Sequence, residues 1–260
     1  MTTKQQQLIQ TLLAKRDESH GLMDHPTYRK FIKWWNLKKF MWNKLIHKDQ
    51  TVSGDVRKIW NNFVNLRLIE AIQHGPSPIV FNGDSVVAAA ESYFESTFSK
   101  MVVPAIPGDT SQSFLERIVQ NTLIYRPETV YFDVGGNDLL VDKPIDLIFN
   151  NLQKSITIMR TNGVKKVVWF AIIPLGNDNK GPDSKLFKIN FFQVPELIAL
   201  MAKSGTCEVN TELRYNLTGP DGWVKVQYDC GDHVHHTPLA YREAWLPAIS
   251  AQYAKDVPAA

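Results

Sequence analysis

From residue 79 onward, short apolar runs alternate with longer segments in which apolar residues recur at helical spacing. The apolar runs predict strands, at residues 78–82, 101–106, 128–134, 165–173 and 207–210. The longer segments predict helices, at residues 86–100, 111–125, 143–161, 185–203 with an interruption near Pro195, and 238–253. Strands separated by helices pair in parallel through right-handed crossovers. The pattern therefore predicts a three-layer α/β/α fold with a central parallel sheet of about five strands.

Residues 1–77 have a different pattern. Apolar residues at helical spacing occur near the start of the chain and again over residues 56–74, and residues 28–46 are rich in Trp, Phe and Lys. The segment from Gly75 to Pro78 holds one glycine and two prolines, which cannot continue a helix. We therefore expect a basic, aromatic-rich helical extension over residues 1–77 and an α/β domain over residues 78–260.

The composition is typical of a globular protein, with 44% apolar and 21% charged residues. No run of 18 uninterrupted apolar residues occurs, and the polar N-terminus lacks the apolar core and cleavage site of a signal peptide. These features predict a cytoplasmic protein. Cys207 and Cys230 fit no metal or redox spacing. Two unpaired thiols in a reducing compartment are the favoured interpretation, with a single disulfide as the alternative.

Positive charge is concentrated in the extension. Residues 1–75 carry 13 Lys and Arg against 6 Asp and Glu, a net charge of +7, whereas the remaining residues carry a net charge of −4. The basic, aromatic residues 26–46 can lie on an anionic membrane surface, or can pack on the α/β domain with their lysine stems covering apolar area. Packing is favoured because the apolar residues spread too widely for one membrane-facing stripe. No nucleic-acid partner is expected, since charge alone is not specific, and the oligomeric state stays open.

Four short motifs fall close to the ends of predicted strands or just before the last helix. Ser85 follows the first strand, Gly108 the second and Asn137 the third, while the segment from Asp232 to His235 precedes the last helix. Each motif alone is ordinary turn chemistry. The carboxyl ends of parallel strands share one edge of the sheet, where ligands usually bind. The order and common location of the motifs therefore indicate a single site.

Ser85 is the candidate nucleophile of that site. A serine hydroxyl reacts only when a base removes its proton. In Asp232-x-x-His235 the two side chains can meet within one turn, so that the carboxylate would fix the tautomer of the imidazole. His233 and His236 are also available as bases, although each alone is more often a loop or surface histidine.

Attack of a serine on a carbonyl carbon creates an oxyanion, which needs hydrogen-bond donors already aimed at it. The backbone N–H of Ser85 is one candidate, because it lies at the start of a predicted helix. The N–H of Gly108 is a second, because the missing side chain lets a substrate approach the backbone. The side-chain amide of Asn137 is a third.

The order Ser, Gly, Asn, His over about residues 78–255 resembles the SGNH hydrolase superfamily, the GDSL-type esterases and lipases. Asp232 and His235 match the family's last block, and Ser85, Gly108 and Asn137 match its oxyanion-hole positions. The resemblance implies a flavodoxin-like fold. It also implies serine-dependent hydrolysis of a lipid, acetylated-sugar or small acyl ester, through an acyl-enzyme on Ser85 and with neither a metal nor an organic cofactor.

Two other functions remain open at this point. A metal-dependent phosphoesterase would use an N/O ligand set, composed of Asp232, His233, His235 and His236 with Asp84, Asn137 and Asp138. It would need additional Asp or His ligands where this chain has Ser85 and Thr110. A non-catalytic binding module on a hydrolase fold is the second. Asp84 and Asp138 are expected to brace the loops, and Asp133 is expected to be structural.

Overall fold

The computed structural model describes residues 75–257 together with Arg67, Glu70, Ala71 and His74. Residues 75–257 belong to one compact unit. The predicted helical extension, including residues 26–46, lies almost wholly outside the described residues and stays a prediction, as does the domain boundary after residue 77. In the described part of the chain, no helix combines the length and apolar character that crossing a membrane requires.

The centre of the unit is a parallel sheet with the order β2-β1-β3-β4-β5. Its strands are β1 (Ile79–Gly83), β2 (Met101–Val102), β3 (Thr129–Asp133), β4 (Lys166–Phe170) and β5 (Glu208–Asn210). All four pairings are parallel. The register of β1 on β3 extends from Ile79 opposite Thr129 to Gly83 opposite Asp133. The predicted α/β class and central parallel sheet are therefore confirmed.

The helices that connect and follow the strands are α1 (Ser85–Thr97), α2 (Ser111–Asn121), α3 (Gly136–Leu140), α4 (Ile145–Thr161), α5 (Lys185–Lys188), α6 (Val194–Ser204), α7 (Glu212–Leu217), α8 (Pro238–Ala240) and α9 (Leu246–Asp256). Single 3₁₀ turns occur at Leu123–Tyr125 and Val226–Tyr228. The short helices α3 and α7 were not predicted from the sequence, because five or six residues are too few to show a helical period.

Both faces of the sheet are covered by helices. On one face the ring of Phe81 from β1 lies 5.4 Å from Phe94 of α1 and 6.5 Å from Trp245, measured between centroids. On the other face Phe132 of β3 stacks on Phe114 of α2 at 5.5 Å. All five side chains are buried, and burial of each contributes roughly 1.5–3 kcal/mol relative to exposure. Packing on both faces explains why the strands are apolar throughout rather than alternating.

The edge strand β2 is shorter than predicted. Residues 101–106 were expected to be extended in the sheet, but only Met101 and Val102 pair with β1. Pro104 has no N–H and cannot donate to a ladder. Beyond Val102 the chain leaves β1, and the N–H of Ile106 returns to the carbonyl of Gly83 at 3.0 Å. Residues 101–106 are all buried, but only the first two form strand.

Two π-helical turns interrupt the helical segments, at Ile189–Gln193 and at Tyr241–Trp245. Each is followed, two residues after its end, by a proline, Pro195 or Pro247. A proline in a helix removes one backbone donor and crowds the preceding turn, which favours a widened turn before it. The first of these turns explains the predicted interruption near Pro195.

Candidate active site

Ser85 lies at the tight turn between β1 and α1. A Cβ at Gly83 would come within 2.4 Å of Val87 Cγ2 and 2.8 Å of the Asp133 carbonyl, so only glycine fits there. Asp84 then caps α1, because its Oδ1 accepts the N–H of Val86 at 3.0 Å. The cap makes Ser85 the first residue of α1, at the positive end of the helix dipole.

The side chains of Ser85, His235 and Asp232 form one hydrogen-bonded chain. His235 Nε2 lies 2.9 Å from Ser85 Oγ. On the other side of the ring, His235 Nδ1 lies 2.9 Å from Asp232 Oδ2. With the proton on Nδ1, Nε2 is left as an acceptor for the serine hydroxyl. The geometry therefore suits removal of the Ser85 proton by the imidazole.

Asp232 is held as an anion by the turn that it begins. Its Oδ1 accepts the backbone N–H groups of Val234 at 3.1 Å and His235 at 2.8 Å. Partial burial alone would raise the pKa of Asp232, but the His235 hydrogen bonds and charge, together with these backbone donors, hold that pKa below its ordinary value. An ionised Asp232 can stabilise the imidazolium that forms when His235 accepts a proton.

The neighbouring His236 and His233 are hydrogen-bonded to residues other than Ser85. His236 is buried, and its Nδ1 accepts the indole N–H of Trp245 at 2.9 Å. Burial, with a further contribution from the charge of His235, lowers the pKa of His236 to about 3, so this ring is neutral at pH 7. His233 Nδ1 instead lies 3.0 Å from Asp229 Oδ2. Of His233, His235 and His236, only His235 is hydrogen-bonded to Ser85 in the described structure.

Asp229 and Gly176 shape the loop that carries these histidines. Asp229 Oδ1 accepts the N–H groups of Gly231 at 2.6 Å and His233 at 3.1 Å, which stabilises the positive φ of 65° at His233. The N–H of Gly176 donates to the His233 carbonyl at 2.9 Å. A Cβ at Gly176 would lie 2.3 Å from Asp229 Oδ2 and 2.8 Å from His233 Cα. The loop after β4 thus fits against the histidine loop only where glycine is present.

The predicted oxyanion-hole donors lie on three adjacent turns. No acceptor among the described residues binds the N–H of Ser85 or of Gly108, and Gly108 has a φ of 79° that favours glycine. The Asn137 side-chain amide donates to Asp84 Oδ2 at 3.0 Å and to the Asp109 carbonyl at 2.9 Å. Asn137 therefore connects the turn of Ser85 to the turn of Gly108.

Two buried carboxylates brace these turns, in line with the sequence-based expectation for Asp138. Asp138 accepts the N–H of Ser111 at 2.6 Å and its hydroxyl at 2.9 Å. Asp109 forms a buried ion pair with Arg117 and also accepts the Ser113 hydroxyl. The Asp138 bonds join α3 to the first residue of α2, and the Asp109 bonds join the turn before α2 to α2 itself.

The acidic groups beneath Ser85 titrate at raised pH. Burial raises the pKa of Asp84 to about 6, against the opposing effects of the Val86 N–H and the charge of His235. Burial, and then the charge of Asp84, raise the pKa of Asp133 well above its ordinary value, while Arg214 opposes this. Two close buried carboxyls cannot both ionise easily. The repulsion between Asp84 and Asp133 therefore favours a shared proton on this pair, consistent with the structural role expected for Asp133.

The candidate ligands of the metal-dependent alternative do not form one cluster. In the described residues, no group of three or more His, Cys, Asp or Glu side chains is arranged to hold a metal ion. The three histidines have different partners. His235 is bonded to Ser85 and Asp232, His236 to Trp245, and His233 to Asp229. Cys207 and Cys230 are not joined in a disulfide.

Sequence reasoning missed the residues that orient the site from a distance. Tyr241 donates its hydroxyl to the Val86 carbonyl at 2.9 Å. Trp245 lies on the same π-helical turn and donates its indole N–H to His236. One turn of the last helical segment thus contacts both α1, which begins with Ser85, and the loop that carries the histidines. The sequence signal was two aromatic residues four apart, which is equally typical of any buried helix face.

Comparison with solved structures identifies proteins of the same fold. The chain matches a GDSL-like lipase from Bacteroides thetaiotaomicron with a TM-score of 0.62 at 19% identity, over 75% of this chain and 100% of that one. A lipase/acylhydrolase from Enterococcus faecalis matches with a TM-score of 0.51 at 20% identity, over 69% and 96%. A catalytic mutant of an acetylxylan esterase from Geobacillus stearothermophilus matches with a TM-score of 0.52 at 11% identity, over 72% and 96%.

No family model and no curated protein matches the sequence. The likeness at these identities is one of fold. The chain shares the α/β/α fold of these proteins, which confirms the fold that the sequence resemblance implied.

Proposed function

We propose that this protein hydrolyses carboxylic esters through an acyl-enzyme on Ser85. The observation that carries the proposal is the chain of hydrogen bonds from Asp232 through His235 to Ser85, with 2.9 Å at each of its two side-chain contacts. The fold supports the same chemistry, because the similar structures include a GDSL-like lipase and an acetylxylan esterase. The bond to be broken is the C–O bond between the acyl group and an alcohol.

In the first half of the reaction, His235 Nε2 takes the proton of Ser85 Oγ while Oγ attacks the ester carbonyl carbon. The oxyanion of the tetrahedral intermediate is met by the N–H groups of Ser85 and Gly108 and by the Asn137 amide. The intermediate then collapses, and the alcohol leaves with the proton carried by His235. The acyl group remains bound to Ser85 Oγ.

In the second half, His235 takes a proton from water, and the hydroxide oxygen attacks the acyl carbon. Collapse of the second intermediate returns the proton to Ser85 Oγ and releases the carboxylic acid. Every proton is accepted and returned by His235, so the proposed reaction uses neither a metal ion nor an organic cofactor. We propose a lipid, acetylated-sugar or small acyl ester as the substrate.

The metal-dependent phosphoesterase receives less support, because the histidines contact separate partners. A binding module would not need the aligned bonds of Ser85, His235 and Asp232. A chelator distinguishes the three functions when ester and phosphoester hydrolysis are both assayed. A serine esterase should hydrolyse esters equally well with and without the chelator. A metal-dependent phosphoesterase should lose its activity in the chelator, and a binding module should hydrolyse neither substrate.

The test of the proposal is Ser85→Ala, assayed with p-nitrophenyl acetate and with labelling by a serine-directed organophosphate. Ser85→Ala should be folded, inactive and unlabelled. Ser96→Ala is the matched control, because it makes the same change at an exposed position of the same helix α1, and it should keep wild-type activity. A folded Ser85→Ala variant with near wild-type turnover would remove Ser85 from the mechanism.

A further inference from the structure

We propose that Asp84 is a positioning residue for oxyanion stabilisation, which it serves by holding the side-chain amide of Asn137 beside Ser85. This inference rests on the proposed function, since it assigns a role within the same site. Asp84 would not contact the substrate. It would act through Asn137.

The hydrogen bonds of Asn137 leave its amide one orientation. An amide nitrogen carries two hydrogens, and here they are held by two acceptors, Asp84 Oδ2 at 3.0 Å and the Asp109 carbonyl at 2.9 Å. A rotation of the amide by 180° would place its carbonyl oxygen against these two acceptors, with repulsion in place of two hydrogen bonds. Asp84 and Asp109 therefore keep the donor side of Asn137 towards the two turns.

Of the two acceptors, Asp84 is the one next to the nucleophile. It precedes Ser85 in the chain, and a Cβ at Gly136 would lie 3.9 Å from its Oδ2, which places the carboxylate at the start of α3. When the oxyanion forms, an amide hydrogen can be shared between Asp84 and the oxyanion as a three-centred bond. No rotation of Asn137 is then needed, which is the advantage of a preorganised donor.

The hydrogen bonds of Asp84 require its ionised form. Oδ1 accepts the Val86 N–H and Oδ2 accepts the Asn137 amide, so a proton added to either oxygen competes with one of these donors. The ionised form is present above about pH 6, because burial raises the pKa of Asp84 to about 6. The hold on Asn137 should therefore weaken as the pH falls through this value.

Charged groups from several elements act on Asp84. His235 of the histidine loop lowers its pKa when protonated, and Asp138 of α3 raises it. Asp133 at the end of β3 is close enough for Asp84 to raise its pKa, and Arg214 of α7 opposes that effect on Asp133. Among these groups, Asp84 is the one whose carboxylate bonds the Asn137 amide directly, so its charge acts on that amide at hydrogen-bond distance.

The experiment is a double-mutant cycle on hydrolysis of p-nitrophenyl acetate. Asn137→Ala should lower kcat by about 100-fold or more, as expected for loss of one oxyanion donor, with KM nearly unchanged. Asp84→Asn removes the charge but keeps a side chain of the same size, and it should lower kcat by about 10-fold or more. The double variant should be no slower than Asn137→Ala alone, because Asp84 acts only through that amide. Independent, multiplying effects would overturn the proposal.

Asp138→Asn is the matched control, because Asp138 is a buried carboxylate of the same region that bonds Ser111 rather than Asn137. Its effect on kcat should multiply with that of Asn137→Ala. Rates are expressed per Ser85 that the organophosphate can label, so that a misfolded fraction does not count as lost turnover.

The pH profile of the wild-type protein keeps the proposal testable if Asp84→Asn does not fold. Protonation of Asp84 can slow the wild type only through the Asn137 amide, which Asn137→Ala lacks. As the pH falls through about 6, the logarithm of kcat/KM should therefore drop by about one unit more in the wild type than in Asn137→Ala. Parallel profiles of the two proteins would contradict the role of Asp84. An active Ser85→Ala variant would instead reject the proposed function, whereas an inactive Ser85→Ala with a multiplying cycle rejects only the role of Asp84.

Discussion

The indole N–H of Trp245 donates to Nδ1 of His236 at 2.9 Å, whereas the neighbouring His235 is bonded through Nε2 to Ser85. The two histidines are adjacent in sequence, yet one is buried against a tryptophan and the other is bonded to Ser85. A residue of the last helical segment thus helps to decide which imidazole is bonded to Ser85.

The first prediction concerns the identity of the base. His235→Ala should lower kcat by several orders of magnitude, because members of a hydrogen-bonded triad act as a unit. His233→Ala and His236→Ala should each change kcat little, since neither ring contacts Ser85. The measurement is steady-state hydrolysis of p-nitrophenyl acetate by the three variants. An inactive His236→Ala variant beside an active His235→Ala variant would show that His235 is not the base.

The second prediction concerns the Trp245–His236 bond. Trp245→Phe keeps a buried ring but leaves His236 Nδ1 without its donor, which should lower the free energy of unfolding by about 1–3 kcal/mol. Urea denaturation measures the change. Trp223→Phe is the control, because no acceptor among the described residues binds its indole N–H, although its ring packs 5.0 Å from Phe191. If both variants lose the same free energy, ring volume and not the hydrogen bond is responsible.

The third prediction is a pH dependence of stability that separates two buried groups. Asp84 has a pKa of about 6 in the fold against an ordinary 3.8, so between these values the folded state holds more protons and stability falls as the pH rises. His236 has a pKa of about 3 against 6.5, so its contribution rises with pH over that range. The two effects oppose each other in the wild type.

Removing the Asp84 carboxyl should therefore leave the contribution of His236 to the pH dependence of stability unopposed. In Asp84→Asn, stability should rise more steeply between pH 4 and pH 6 than in the wild type, with a difference of at most about 1.4 kcal/mol per pH unit. Denaturation at several pH values measures the slope. Equal slopes in the two proteins would show that Asp84 does not titrate in this range.

The fourth prediction concerns the contact between the loop after β4 and the histidine loop. Gly176→Ala should displace Asp229 and His233, because the new Cβ would lie within 3 Å of both, and kcat and Tm should both fall. Gly136→Ala is the steric control, because the nearest atom to its Cβ would be 3.6 Å away, and its Tm should stay near that of the wild type. A Gly176→Ala variant with wild-type kcat and Tm would mean that the loops can separate freely.

The parts of the site that could be predicted from the sequence are those that local chemistry determines. Ser85 follows from a glycine turn between an apolar run and a helix, and Asp232 with His235 follows from a spacing that closes within one turn. The bonds of Asn137 could not be predicted, because Asp84 and Asp109 come from turns that meet only when β1, β2 and β3 are adjacent. The positions of the π-helical turns were visible only as prolines, which indicate an interruption but not its geometry.

Because only two residues of β2 pair with β1, the turn that carries Gly108 has less backbone support from the sheet than the turn that carries Ser85. Ser85 follows β1, which is paired on both sides, whereas the turn of Gly108 is reached from an edge strand whose ladder ends at Val102. Beyond that point, the Ile106–Gly83 backbone bond and the Asn137–Asp109 bond tie the turn down. Local opening begins where few backbone bonds must break. On warming, the Gly108 turn should therefore open before the sheet melts, and catalytic activity should be lost at a lower temperature than secondary structure.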